Sequence, residues 1–251
     1  MKTVIIGGTG FIGSGLVNKL RQFGHEAIAA SRATGVNTIT GEGLNDVFND
    51  VKVVVDVSNS PSFEGNAAMD FFQTSTKNLL YAEAKKRVTH HVLLSIVGAD
   101  RPGSGGYFQA KSAQENLIKE SGIPYSILRS TQFFEFAGTI AQLGTIGQEV
   151  HVSTGLVQPI AADEVVNALM EIIIHSPLNA TVEVAGPQRM RMDEFISSFL
   201  QLTNDPRYLV ADKHALYFGA EIDEKSLIPG ENPRIGNLNY DDWFISQHLT
   251  I

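Results

Sequence analysis

The sequence predicts an α/β fold built on a doubly wound parallel sheet with helices on both faces. Short β-branched runs alternate with longer stretches of helical periodicity, which is typical of successive β-α-β units. A glycine-rich turn separates the first predicted strand from the first predicted helix. The 251 residues are 43% hydrophobic, so the chain can bury the core of one large domain or of a domain with a smaller lobe.

The first half of the chain divides into six predicted strands connected by helices and loops. Each strand is a short run rich in apolar or β-branched residues. The predicted strands are residues 3–6, 26–30, 36–39, 51–57, 91–96 and 125–129. The predicted helices are residues 11–23, 44–48, 67–86 and 107–121, and a glycine-rich loop runs from the fifth strand through residue 106. Strands in this arrangement are expected to pair in parallel.

The alternation changes after residue 131. We expect helices at 133–143 and 163–175, a hairpin within 145–159 and a strand at 181–185. The tail from residue 205 is rich in Gly, Pro, Asn and Asp, so loops and short helices are expected there. We therefore predict a single domain over residues 1–251, with a small C-terminal substrate lobe drawn mainly from 131–160 and 186–251.

Composition argues against several classes of partner. The formal net charge is -8, and the longest basic run, residues 85–87, is explained as a solvated helix end, so we expect no direct nucleic-acid binding. The chain has no cysteine, which excludes disulfides and thiolate ligands. The adjacent His90 and His91 would point to opposite faces of a strand, and no other spacing suggests a metal site. We predict none.

Membrane and secretory segments are also not expected. No run approaches the roughly 20 apolar residues of a membrane span. The apolar start at residues 4–6 passes directly into glycines, whereas a secretory signal needs a longer apolar stretch. We expect a cytoplasmic protein.

Residues 7–13 form the glycine-rich turn. Gly7, Gly10 and Gly13 fit the spacing G-x-x-G-x-x-G, and starting at Gly8 gives G-x-G-x-x-G. Glycines allow a tight turn and a close backbone approach to pyrophosphate, and the helix that follows supplies free N–H groups. The same glycines could serve only helix-strand packing, but the β-α-β context favours a Rossmann-type dinucleotide site. The residues predicted to bind the cofactor here are Gly7, Thr9, Gly10, Phe11, Ile12 and Gly13.

The residues after the second strand favour NADP(H) over NAD(H). NAD sites usually carry an acidic residue there to bind the ribose 2'-hydroxyl, but this chain has Ser31 and Arg32. Arg32 could bind a 2'-phosphate, although it could also be an ordinary surface arginine. Val57, Ser58 and Asn59 lie at the end of the fourth predicted strand, at the edge where such sheets bind ligands, and Ser58 and Asn59 could equally be turn formers.

A tyrosine and a lysine suggest acid-base chemistry. Tyr107 and Lys111 are four residues apart on a predicted helix, so their side chains share one face. An ammonium close to a phenol stabilises the phenolate, which makes the tyrosine usable as a general acid or base. Ser95 lies at the carboxyl end of the preceding strand, near the expected position of the reactive ring of the cofactor. An exposed or purely cofactor-binding pair would have the same spacing.

These residues resemble the short-chain dehydrogenase/reductase superfamily, and within it the atypical, NmrA-like NAD(P)H-binding branch. The resemblance rests on residues 7–13, Tyr107 with Lys111, 121–129 and 131–136, and it covers most of the chain. It implies that Tyr107 is the acid/base, that Lys111 binds the nicotinamide ribose and lowers the tyrosine pKa, and that Ser95 orients the substrate carbonyl. In extended members the serine lies slightly further along, where this chain has Val97.

Three functional hypotheses follow. The first is an NADPH-dependent oxidoreductase that reduces a carbonyl, a quinone or a similar small molecule. The second is a non-catalytic NADP(H) sensor that acts through a protein partner, as some NmrA-like proteins do. The third is an epimerase or dehydratase of a nucleotide sugar, which ranks last because no basic cluster after residue 131 suits a diphosphate. The aromatic residues Phe133, Phe134 and Phe136 could line a pocket or belong to the core.

Overall fold

The computed structural model describes residues 1–101 and 105–248 of the chain. Within them the strands are β1 (Lys2–Ile6), β2 (Glu26–Ala30), β3 (Val53–Asp56), β4 (His90–Ile96), β5 (Tyr125–Ser130), β6 (Thr145–Ile146), β7 (Glu149–Val152), β8 (Leu156–Val157), β9 (Ala180–Ala185), β10 (Met190–Arg191), β11 (Tyr208–Ala211) and β12 (Arg234–Ile235). The helices are α1 (Phe11–Gln22), α2 (Leu44–Val47), α3 (Gly65–Lys86), α4 (Gly106–Glu120), α5 (Ala137–Leu143), α6 (Ala162–Ile174), α7 (Met192–Leu202) and α8 (Tyr240–His248).

The main sheet has seven strands in the order β12-β9-β5-β4-β3-β1-β2, and all of its pairings are parallel. Helices α1 and α6 pack on one face through an apolar core that includes Ile5, Leu16 and Val165. Helices α2 and α3 cover the other face through a core that includes Leu44 and Leu79, and α4 lies beside α3. Because both faces are covered, a central strand such as β3 is buried along its whole length. The predicted Rossmann-type α/β fold is confirmed.

The order of the strands creates a crevice at the carboxyl edge of the sheet. Strand β1 pairs with β2 on one side and with β3 on the other, so the chain leaves β1 toward one edge and then returns past it. Sheets of this kind bind ligands where the strand order reverses. Here the first residues after β1 lie against the first residues after β3. A Cβ added to Gly7 would be only 2.9 Å from the backbone nitrogen of Ser58.

The predicted strand at residues 36–39 is wrong. Gly35 and Gly43, with φ angles of +80° and +74°, bound a compact loop in this region. Within it the Asn37 N–H donates to the Glu42 carbonyl at 2.9 Å. The side-chain amide of Asn78 on α3 holds the loop by donating to the carbonyls of Thr38 and Ile39. The turn-forming glycines therefore outweigh the β-branched residues between them. The first half of the chain contributes five strands rather than six.

The other predicted elements of the sheet and its helices lie within two residues of the observed bounds. In the second half, the predicted helix at 133–143 begins as a 3-10 turn over Phe134–Phe136 before α5. The predicted hairpin covers only β6 and β7, since β8 pairs with β10 instead. Residues 102–104 of the predicted glycine-rich loop lie outside the described residues.

A second apolar core lies beside the sheet. It joins α5, α7 and α8 through side chains such as Phe134, Phe195 and Tyr240, and it includes the small sheet β11-β7-β6. The tail after residue 205 contains more regular structure than its composition suggests, namely β11, β12 and α8. Strand β12 extends the main sheet, whereas residues 249–251 lie outside the described part of the chain.

Candidate functional site

A pocket of about 570 Å³ opens over the carboxyl ends of β1, β3, β4 and β5. Its walls come from the glycine turn, the start of α4 and the lobe that follows β5. The pocket brings together every site residue that the sequence predicts except Gly13. These residues are Gly7, Thr9, Gly10, Phe11, Ile12, Ser31, Arg32, Val57, Ser58, Ser95, Tyr107 and Lys111.

Gly13 lies behind the turn and gives it its shape. A Cβ on Gly13 would be 2.2 Å from the carbonyl oxygen of Gly7, so no larger residue fits without moving the turn. Helix α1 begins after Gly10 with no side-chain cap and no acidic residue in its first turn. Its first N–H groups and the positive end of its dipole are therefore available to an anion. The hydroxyl of Ser58, buried at the pocket wall, makes no hydrogen bond within the structure. These features fit a dinucleotide phosphate group.

The end of β2 carries the two residues predicted at the adenosine end of the cofactor. Arg32 starts a 3-10 turn over Arg32–Thr34 and is exposed, which leaves its guanidinium accessible. Next to it the loop at residues 36–39 forms a wall of the pocket. Sequence reasoning missed this wall because it interpreted the same residues as a strand.

Tyr107 stands in the first turn of α4 and faces the loop after β3. Its hydroxyl donates a hydrogen bond to Asn59 Oδ1 at 2.8 Å. Its ring packs against Phe63 and Phe72, with centroid distances of 5.4 and 5.8 Å. Burial raises the pKa of Tyr107 above its ordinary value, in contrast to the lowering that the resemblance implies. The phenol is therefore protonated at neutral pH and can act as a proton donor.

Lys111 is buried one turn further along α4. Its ammonium donates to the Leu94 carbonyl at 3.0 Å and to Gln114 Oε1 at 2.6 Å. It also lies 4.5 Å from the centre of the Phe72 ring. Burial lowers the pKa of Lys111 to about 8, and the carboxylate of Asp56 partly offsets this effect. The ammonium is therefore mostly charged at neutral pH.

Ser95 borders the pocket, but its hydroxyl is engaged elsewhere. It donates to Glu115 Oε1 at 2.7 Å. Burial alone would raise the pKa of Glu115, but two hydrogen bonds from Arg129, at 2.8 and 2.6 Å, lower it below its ordinary value. The serine thus belongs to a buried ionic cluster in this structure, and its role toward a substrate stays a prediction. Val97 is fully buried and is not part of the lining.

The three phenylalanines after β5 divide between the two predicted roles. Phe133 and Phe136 line the pocket and pack with Phe11, at centroid distances of 6.4 and 6.1 Å. Phe134 instead packs in the lobe core against Tyr240 at 5.2 Å.

An aromatic wall, which we define as Phe63, Tyr107, Tyr217 and Phe218, borders the same pocket. The Phe218 ring packs at a tilt against Phe63 and edge-on against Tyr217, with centroid distances of 4.5 and 4.6 Å. The sequence did not identify Phe63, Tyr217 and Phe218 as site residues, and Gln132 belongs to the 131–136 segment that carries the family resemblance. No short-range pattern links them, because they come together only when the lobe packs on the sheet.

The adjacent histidines do point in opposite directions. His90 Nε2 lies 2.9 Å from Ser126 Oγ, and burial lowers the His90 pKa to about 4. His91 Nδ1 lies 2.9 Å from the Glu83 carboxylate on the other face. Within residues 1–101 and 105–248, no group of three or more His, Asp or Glu side chains is arranged to hold a metal ion. In the same ranges, none of the helices has both the length and the apolar character needed to cross a bilayer.

Two curated relatives align with part of the chain. The photosystem II assembly factor Ycf39 of Cyanophora paradoxa is 24% identical over 162 residues, which are 59% of this chain and 48% of the relative. The chloroplastic divinyl chlorophyllide a 8-vinyl-reductase of Cucumis sativus is 25% identical over 222 residues, which are 73% of this chain and 52% of the relative. The chain spans about half the length of the curated relatives it matches.

A solved structure supports the fold. The dTDP-4-dehydrorhamnose reductase of Bacillus anthracis in complex with NADP aligns with a TM-score of 0.71 at 16% identity. The alignment covers 98% of this chain and 99% of that chain.

A family profile described as NAD(P)H-binding matches residues 7–175. The matched segment covers more than half of the chain and contains the glycine turn, Ser95, Tyr107 and Lys111. It agrees with the family resemblance carried by the sequence motifs. The chain therefore belongs to the NAD(P)H-binding family.

Proposed function

We propose that the protein is an NADP(H)-dependent oxidoreductase that reduces a carbonyl, a quinone or a similar small acceptor. The observation that carries the proposal is that one pocket is lined by the phosphate-type glycine turn, by Tyr107 and by Lys111. A dinucleotide that begins at the turn and extends along the pocket would end beside the Tyr107 phenol. The vinyl reductase among the relatives is consistent with such chemistry.

The chain's own residues would hold the cofactor in three places. The N–H groups at the start of α1 would bind the pyrophosphate. Arg32 would bind a 2'-phosphate, which is the basis for preferring NADP(H), since no acidic residue lies at the end of β2 to favour NAD(H). Lys111 would bind the ribose nearest the reactive ring. When bound, the reduced nicotinamide supplies a hydride to the acceptor.

Tyr107 would supply the proton that completes the reduction. The acceptor carbon gains a hydride, and its oxygen gains the phenolic proton, so the two-electron reduction is balanced. Asn59 holds the hydroxyl in place before transfer by accepting its hydrogen bond. The ammonium of Lys111 would stabilise the phenolate left behind, and solvent would then return the proton.

A second candidate function is a cofactor sensor that acts through a protein partner. The observation in its favour is that one relative is named as an assembly factor rather than as an enzyme. Such a protein would bind NADP(H) without turning it over. The cytoplasmic location expected from the sequence remains a prediction under either function.

The test is to follow NADPH absorbance while the full chain is mixed with quinones, aldehydes, ketones and a conjugated alkene. We expect turnover with at least one neutral carbonyl or quinone. The oxidoreductase proposal fails if NADPH binds but no compound in the panel is reduced, and that same result would support the sensor. Absence of NADPH binding would rule out both.

A further inference from the structure

The side chain of Gln132 is buried at the pocket wall without an evident structural purpose. Gln132 is 4% exposed, and the Tyr217 hydroxyl interacts with its side chain, but within the described residues neither the amide nitrogen nor the amide oxygen makes a hydrogen bond of regular geometry. The other two buried glutamines are different. Gln114 bonds to Lys111 and Asp56, and Gln158 bonds to a backbone carbonyl and to an arginine. Burying an amide whose hydrogen-bonding capacity is not satisfied is unfavourable, which suggests that a ligand completes its bonding.

The hydroxyl of Tyr217 is the polar group next to this amide. Burial and the proximity of Tyr107 raise the pKa of Tyr217 above its ordinary value, while hydrogen bonding to the Gln132 side chain acts in the opposite direction. The position of Tyr217 is fixed by the lobe, because its N–H donates to the Ala220 carbonyl at 2.8 Å and its carbonyl accepts from the Ala220 N–H at 3.1 Å. An amide and a phenol are thus held together on the lobe side of the pocket, close to the proposed proton donor.

The charges along the pocket restrict the ligand that these groups could bind. Among residues 1–101 and 105–248, the side chains that line the pocket include no Asp or Glu, and the basic ones are Arg32 and Lys111. Both are already assigned to the cofactor in the proposed function. The described part of the lining offers no further cation to neutralise a diphosphate, which favours an uncharged acceptor over a nucleotide sugar. The aromatic wall, in contrast, offers faces on which a flat ring can stack.

We propose that Gln132 and Tyr217 form a binding site for the oxygen of an uncharged, planar aromatic acceptor of the quinone type. The amide N–H of Gln132 and the hydroxyl of Tyr217 donate to this oxygen while the ring lies against the aromatic wall. The inference rests on the proposed function for the identity of the ligand as an acceptor, but it concerns binding alone.

The experiment measures equilibrium binding to the full chain saturated with NADP⁺, where no reduction can occur. The ligands are a naphthoquinone, naphthalene as its oxygen-free counterpart, and UDP-glucose. The absence of cysteine in the chain removes the usual site of covalent attack by a quinone. The variants are Gln132→Met and Tyr217→Phe, with Tyr240→Phe as the control because Tyr240 is also buried in the lobe but lies outside the pocket lining.

We expect each pocket variant to weaken naphthoquinone binding about 3- to 10-fold, as the loss of one hydrogen bond predicts. Naphthalene binding and NADP⁺ affinity should stay unchanged, as should every value for Tyr240→Phe. Unchanged naphthoquinone binding in both variants, an equal loss for naphthalene, or no naphthoquinone binding by the wild type would overturn the proposal. Binding of UDP-glucose to the wild type more tightly than naphthoquinone would also overturn the proposal.

Turnover with the same naphthoquinone separates this inference from the proposed function. If the binding pattern is as expected but NADPH is not oxidised, the oxidoreductase proposal is refuted and the proposed quinone-binding site is supported. If NADPH is oxidised and neither substitution changes the rate, the proposed binding site is refuted and the oxidoreductase proposal is supported. If Gln132→Met does not fold, Tyr217→Phe, which removes a single oxygen atom, decides the result.

Discussion

The two ends of the pocket are built in different ways. The phosphate end consists largely of backbone from one continuous segment, residues 7–13, and depends on glycines that allow atoms to approach closely. The acceptor end consists of side chains, including Asn59, Tyr107, Gln132 and Tyr217, that come from distant parts of the chain. The first end should therefore be damaged by adding atoms, and the second by removing them. The phosphate end therefore depends on local backbone geometry, whereas the acceptor end depends on tertiary packing.

The largest effect should come from removing one oxygen at the acceptor end. Tyr107→Phe removes the proposed proton donor, so the rate of turnover should fall about 10²- to 10⁴-fold while NADPH affinity stays the same. Steady-state kinetics with a reducible acceptor and a separate NADPH titration measure the two quantities. Tyr81→Phe, an exposed position on α3, is the control. If Tyr107→Phe keeps the wild-type rate of turnover, another group donates the proton.

Adding one carbon at the phosphate end should have the next largest effect. In Gly13→Ala the new Cβ meets the Gly7 carbonyl oxygen, so the turn must shift and NADPH affinity should fall about 100-fold. Gly15→Ala is the matched control, because Gly15 lies in the same helix as Gly13. Its added Cβ would contact a methyl group of Val166 on α6 at an ordinary distance of 3.5 Å. That control should retain affinity and gain about 0.5–1 kcal/mol of stability. Equal affinities in two folded variants would show that the turn does not hold the cofactor.

The adenosine end should respond to loss of a cation. Arg32→Ala removes the proposed partner of the 2'-phosphate, so NADPH affinity should fall about 10-fold while NADH affinity stays constant. Arg32→Lys, which keeps the charge, should lose less. Binding titrations with both cofactors give the ratio, and a ratio unaffected by Arg32→Ala would contradict the assignment.

The smallest effect should be a pH dependence that originates at Lys111. Burial lowers the pKa of its ammonium to about 8, so the charge is present below this pH and is lost as pH rises through it. If the ammonium binds the ribose, NADPH affinity should decline about threefold above this range. Titrations at several pH values should show the decline in the wild type and a flat profile in Lys111→Met. A decline that persists in Lys111→Met would come from another group.

The same contrast explains what the sequence could predict. The glycine turn and the Tyr107–Lys111 pair depend on local spacing, and the structure brings both to one pocket. The prediction of a strand at residues 36–39 was wrong, because four β-branched or polar residues do not outweigh the flanking glycines, whose φ values are near +80°. The direction of the Ser95 hydroxyl depends on Glu115 and Arg129, which are far from it along the chain. Tyr217 reaches the pocket only through the packing of the lobe, for which no local signal exists.

The proposed function requires that the pocket binds a dinucleotide and prefers NADP(H). The most direct measurement is the thermal unfolding midpoint of the full chain with NADPH, with NADH and without either. A ligand that binds the folded state stabilises it in proportion to the logarithm of its concentration over its dissociation constant. We predict a clear rise of the midpoint with NADPH and a smaller rise with NADH at equal concentration. No rise with either cofactor would show that the pocket does not bind a nicotinamide dinucleotide.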